Sequence, residues 1–72
     1  MKRFLIRDVD LAKEGPGVGC ILEYDDEGNL SREIKLSEQE LTLELNSDRW
    51  SKSADTSWIG KGIQRWKHEE KI

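Results

Sequence analysis

The sequence predicts a small α+β domain: a three-stranded antiparallel sheet followed by two C-terminal helices. Three observations predict it. Short apolar segments, separated by clusters of Gly, Asp and Asn, fill residues 2–35. A helix-start signature opens at Ser37. Apolar residues at helical spacing run from Ile59 to Trp66. The 72 residues make one domain, 1–72, and leave no room for a second.

The first strand is read from Lys2 to Asp8, where Phe4 and Ile6 alternate with Arg3, Leu5 and Arg7. Residues 10–19 contain Gly15-Pro16-Gly17 and Gly19, which mark a loop. Gly19–Tyr24 and Leu30–Lys35 read as two more strands. Between them, Asp25-Asp26-Glu27-Gly28-Asn29 forms the turn of a β-hairpin. Gly28 can take a positive φ there, and Asp and Asn side chains can bond the local backbone.

Ser37-Glu38-Gln39-Glu40 fits a capping box, with Ser37 as N-cap and Glu40 at N3. Leu36 and Leu41 stand where a hydrophobic staple needs them. These signals place a helix over 37–46. The alternation of Leu41, Leu43 and Leu45 fits a strand instead. That alternative gives a mostly β small barrel with one C-terminal helix. Residues 48–57 are polar and read as a loop, with Asp55 or Ser57 as the cap of a last helix. In that helix Ile59, Ile63 and Trp66 share one face, although Gly60 and Gly62 weaken it by about 1 kcal/mol each. The expected core is Phe4, Ile6, Ile21, Ile34, Leu41, Leu45, Ile59, Ile63 and Trp66.

Charged residues (38%) outnumber hydrophobic ones (35%), and the mean hydropathy is -0.79. Leu, Ile, Val and Phe still make up 17 of 72 residues, above the roughly 20% level below which chains stay disordered. A folded domain with a thin core is expected, and a homodimer is a reasonable supplement to such a core. Cys20 is the only cysteine, so no intrachain disulfide can form. No apolar run reaches the length of a signal peptide or a membrane span. The expected address is the cytoplasm, with no membrane partner.

Charge is split along the chain. Residues 1–48 carry 6 Lys+Arg against 12 Asp+Glu, and residues 49–72 carry 6 against 3. The pI near 5.1 argues against a dedicated duplex-DNA binder. Trp50, Trp58 and Trp66 lie eight residues apart with Arg49, Lys61, Arg65 and Lys67 beside them. The three Trp suit the core of a small domain first; aromatics interleaved with cations also suit protein hot spots and single-stranded nucleic acid.

Catalytic, metal and cofactor motifs are not found. The Gly15–Gly19 segment lacks the phosphate-loop pattern and leads into a strand rather than a helix. The acidic turn at 25–29 misses EF-hand spacing. The single histidine, His68, reads as a surface residue near the terminus, and Cys20 as a small hydrophobe within a strand. The functional expectation is a non-enzymatic protein-interaction module: an adaptor, regulator or inhibitor. Its partner contacts are expected at Arg49, Trp50, Lys61 and Arg65. The alternative is a nucleic-acid-binding module that uses the same C-terminal Trp/Arg/Lys cluster.

Overall fold

The centre of the molecule is its first strand. The structure, a computed structural model, describes residues 1–52, 55–58, 60 and 62–71. Strand β1 (Lys2–Asp10) pairs antiparallel with β2 (Val18–Tyr24) on one edge and with β5 (Ile63–Glu69) on the other. Strand β3 (Leu30–Leu36) extends the sheet beyond β2, and the four-residue β4 (Asp55–Trp58) extends it beyond β5. The order is β3-β2-β1-β5-β4, and every pair of neighbours is antiparallel. One helix, α1 (Glu38–Asn46), follows β3.

The β2–β3 hairpin forms around the expected turn. Gly28 takes φ 87°, and Asp25 Oδ1 accepts from the backbone N–H groups of Glu27 and Asn29. The β1–β2 connection turns at Gly17, whose φ is 89°. A Cβ on Gly17 would collide with the Asp8 carbonyl oxygen, so only glycine lets the loop come this close to β1.

The helix also starts at the expected place. Ser37 Oγ accepts from Glu40 N–H at 3.2 Å, and Glu40 Oε1 accepts from Ser37 N–H at 2.9 Å. The alternation of leucines resolves by helical geometry. Leu41 and Leu45, four residues apart, pack inward, while Leu43 between them is exposed. Leu41 lies against β2 at Gly19, where a Cβ would come within 2.9 Å of Leu41 Cδ1. The buried core is Leu5, Ile21, Leu41 and Trp50, with Ile34, Leu36 and Leu45 packed around it.

The expected three-stranded sheet followed by two C-terminal helices is therefore corrected. Among the described residues the sheet has five strands, one helix lies mid-chain, and Asp55–Trp58 pairs with Ile63–Glu69 as β4 and β5. The alternative barrel with a C-terminal helix falls for the same reason. Gly60 and Gly62 both take positive φ, which suits a turn and breaks a helix. Beyond them Ile63–Glu69 finds the free edge of β1 and pairs with it over seven residues. The helical spacing of Ile59, Ile63 and Trp66 lost to that edge. Ile59 itself lies outside the described residues.

The expected phase of β1 is corrected as well. Leu5, not Phe4 and Ile6, points into the core. Arg3 and Arg7 share its face, and their charges are accommodated. Arg3 is paired with Glu23 at 3.1 Å and Glu70 at 3.0 Å. Arg7 sits 5.5 Å over the Trp66 ring, and burial lowers its pKa. Their stems cover apolar surface while their heads find partners.

Accepting hydrogen bonds from the Ser37 backbone and then its side chain holds the Glu40 carboxylate below its ordinary value of 4.5. A depressed folded-state pKa gives stability that is present above the unfolded value and lost as pH falls through the folded one. Ser37→Ala should cost about 1 kcal/mol in urea unfolding at neutral pH. Glu40→Gln should flatten part of the acid dependence below pH 4.5 while keeping most of the cap. Gly19→Ala should cost about 1–3 kcal/mol by pushing on buried Leu41, as read by the same unfolding midpoints.

Candidate functional site

The four residues singled out for partner contact do not come together. Arg49 is exposed just beyond α1, with its guanidinium 3.6 Å from Glu44. Trp50 is only 7% exposed and belongs to the core. Its indole N–H donates to Glu44 Oε1 at 2.8 Å, which satisfies its one polar atom. Arg65 lies in β5 and forks onto Asp8, with Nε–Oδ1 at 2.8 Å and Nη2–Oδ2 at 3.1 Å. This hydrogen bonding raises the pKa of Arg65. Lys61 and the side chain of Trp58 lie outside the described residues.

Strand geometry splits the rest of the cluster. Neighbouring residues of a strand point to opposite faces. Trp66 and His68 therefore share the core face of β5, while Arg65 and Lys67 point the other way. The Arg65-Trp66 dipeptide cannot act as one cation–aromatic unit, because the cation over Trp66 is Arg7.

His68 is a correction to the sequence reading. It is 8% exposed, opposite Leu5 in the β1–β5 register. Its Nδ1 lies 2.8 Å from the Ser51 carbonyl oxygen. A carbonyl only accepts, so Nδ1 carries a proton and ties β5 to the segment after Trp50. Residues 51 and 69 reinforce the tie, with Ser51 N–H donating to the Glu69 carbonyl at 2.8 Å.

The surface that sequence reading missed is the sheet face opposite the helix. The β1, β2 and β5 registers place Phe4, Ile6 and Asp8 of β1 there, beside Leu22, Cys20 and Val18 of β2. Glu69, Lys67 and Arg65 of β5 lie on the other side of β1. Glu33 and Lys35 of β3 flank Leu22 and Cys20. Phe4, Ile6, Cys20, Leu22 and Tyr24 are each only partly buried, and Val18 is 69% exposed. Phe4 and Tyr24 meet edge to face at 5.7 Å, and Lys67 Nζ sits 4.5 Å over the Phe4 ring. Burial and then Glu33 push the Cys20 thiol pKa up, so it is not an activated nucleophile. Cys20 and His68 face opposite sides of the sheet.

Two depressions lie along this face. One, of about 580 Å³, runs between Phe4, Tyr24, Lys2, Lys67 and the hairpin tip. The other, of about 280 Å³, runs between Ile6, Cys20, Val18, Glu33, Lys35 and Arg65. The signal that could have revealed the face was the unbroken Phe4-Leu5-Ile6 run. Three consecutive apolar residues in a strand place apolar side chains on both faces.

A third depression, about 390 Å³, lies at the end of the sheet beneath the Gly15–Gly17 loop. Asp8, Asp10, Glu14 and Glu38 line it. Lys13 also lines it, and the Gly15–Gly17 loop is the connection from β1 to β2. Among the described residues no group of three or more His, Cys, Asp or Glu could hold a metal ion, and no helix is long and apolar enough to cross a membrane. No protein family, curated protein or solved structure matches the chain.

The division between core and surface gives a direct measurement. Trp50→Ala should destabilise by about 3–5 kcal/mol in denaturant unfolding, since it empties a core position and strands Glu44. Arg65→Ala should cost less than about 1 kcal/mol, because its pair with Asp8 is solvent-exposed.

Proposed function

We propose that the chain is a small non-enzymatic protein-interaction module, an adaptor, regulator or inhibitor, and that the helix-free sheet face is its working surface. One observation carries this reading: a central apolar stripe of Phe4, Ile6, Cys20 and Leu22 on a face that no described element covers. An antiparallel sheet with one solvated face ordinarily alternates apolar residues inward with polar residues outward. Here β1 and β2 put apolar residues on both sides, with charges only at the margins. An apolar centre with a charged rim is the anatomy of a protein interface.

The surface differs from the C-terminal cluster expected from the sequence. Arg65 lies at its margin, whereas Trp50 lies beneath the opposite face and Arg49 beside the helix. The nucleic-acid alternative loses support for the same reason, because its aromatic and cationic members are divided between two faces.

The test compares two surface substitutions in affinity capture from the native cell. Leu22→Asp should abolish capture of the partner while circular dichroism shows the fold retained. Leu43→Asp, on the exposed side of α1, should leave capture intact. Equal capture by both variants would show that the helix-free face is not the working surface.

A further inference from the structure

We infer that a second copy of this chain covers the helix-free face, stacked sheet against sheet about a two-fold axis. That axis lies in the plane of the interface and crosses the strands between Phe4 and Ile6. The inference rests on reading this face as the interaction surface, and it names the occupant.

The charges at the margins carry the argument. On the β3 side Glu33 stands next to Leu22, and Lys35 stands one step along the strand next to Cys20. On the β5 side Glu69 stands next to Phe4, and Lys67 stands one step along next to Ile6. The apolar centre therefore has an acid and a lysine on each flank, with both acids rooted beside the Phe4 level and both lysines rooted at the Ile6 level; within one chain Lys67 leans over the Phe4 ring, and the partner's Glu69 would draw it off. All four residues are exposed, and none shares an ion pair with another side chain that the structure describes; Asp55 of β4 is the register partner of Lys67.

A face-to-face pair related by a two-fold can place its axis along the strands or across them. An axis along the strands exchanges the flanks at constant level. Glu33 would then oppose the partner's Glu69, and Lys35 would oppose the partner's Lys67. An axis across the strands keeps the flanks and exchanges the levels. Glu33 then meets the partner's Lys35, and Glu69 meets the partner's Lys67, each pair occurring twice by symmetry. Lys2, one level beyond Phe4, falls opposite the partner's Asp8, which Arg65 of its own chain already engages, so the two flank pairs carry the selection. Like charges across an interface exclude the first arrangement, and opposite charges select the second.

The apolar centre fits the same arrangement. Phe4 lies over the partner's Ile6, and Leu22 over the partner's Cys20. Strands related this way run nearly antiparallel across the interface, the aligned packing of a β-sandwich. The long Lys and Glu side chains span the offset that sheet twist introduces at the flanks. The hairpin-end depression of each copy meets the Cys20-end depression of the other. Strands about 4.8 Å apart, rising about 3.3 Å per residue, make a patch about 20 Å on a side. That is about 400 Å² in projection, below the roughly 800 Å² per partner of a standard interface, which fits a weak, micromolar dimer.

Charge reversal followed by mixing tests the axis itself. Sedimentation should show the full chain in a monomer–dimer equilibrium at micromolar concentration. Lys67→Glu puts acid against acid at two symmetric sites, and Glu69→Lys puts lysine against lysine. Each variant alone should dimerise about tenfold more weakly than the wild type. An equimolar mixture of the two should recover dimers, because the heterodimer restores opposite charges at both sites. Labelling of Cys20 by a thiol reagent should slow as wild-type concentration rises, since its face becomes covered.

Variants that dimerise like the wild type, a mixture no tighter than its components, or Cys20 labelling independent of concentration would each overturn the inference. A wild type that stays monomeric at high micromolar concentration, while Leu22→Asp still loses its captured protein, overturns the second copy as occupant. It leaves the face as the interaction surface. A monomer in which Leu22→Asp changes nothing overturns both.

Discussion

Everything in this fold depends on β1 being paired on both edges and apolar on both faces. A strand with neighbours on each side satisfies its backbone N–H and C=O groups within the protein, which lets its middle, Phe4-Leu5-Ile6, be apolar on both faces. Leu5 is fully buried beneath the helix layer, opposite Ile21 on one side and His68 on the other. The β2–β3 hairpin and the β5–β4 hairpin are two arms added to that strand. The helix then closes only the β2–β3 half of the core face. Trp50 and the segment after it, tied to β5 through Ser51, extend the cover toward β5.

What could be read in the sequence was local. The capping box at Ser37 and Glu40 and the Asp25–Asn29 turn are made by residues three or four positions apart, so their chemistry is visible in a short window. What could not be read was decided at a distance. Ile63–Glu69 has residues for either periodicity, and its state was chosen by the vacant edge of β1, some sixty residues earlier in the chain. The phase of β1 failed for a related reason. Arg3 and Arg7 flank Leu5 and seem to mark its face as solvent, yet Glu23, Glu70 and Trp66, all distant in sequence, neutralise or stack on them. His68 reads as a surface group in the sequence because its partner, the Ser51 carbonyl, is set by tertiary placement, and Trp50, which fits core or interface in the sequence, is settled as core by its distant neighbours and by Glu44.

The charge split along the chain shows how sequence asymmetry dissolves in space. The acidic front and the basic tail are not two faces. Strand β5 from the tail lies against β1 from the front, and ion pairs join the two halves: Arg65 with Asp8, Arg3 with Glu70, Lys71 with Asp48 and Arg49 with Glu44. Each of these is worth little by itself at the surface. Together they fix which cations and acids are already engaged inside one chain.

The charges left over after that pairing matter most for function. Among the described side chains of the helix-free face, Glu33, Lys35, Lys67 and Glu69 surround its apolar centre without an ion pair, and Lys2 lies one step beyond Phe4. Their arrangement is antisymmetric along the strands and symmetric across them. A foreign partner would need a matching quartet of its own, whereas the same chain turned over by a two-fold supplies one without further design. For a domain whose described residues include four buried hydrophobic ones, doubling the sheet adds a second apolar layer. The thin core and the uncovered face are then two consequences of one fact. The sequence has enough apolar residues for both sides of the sheet, and its single helix covers one.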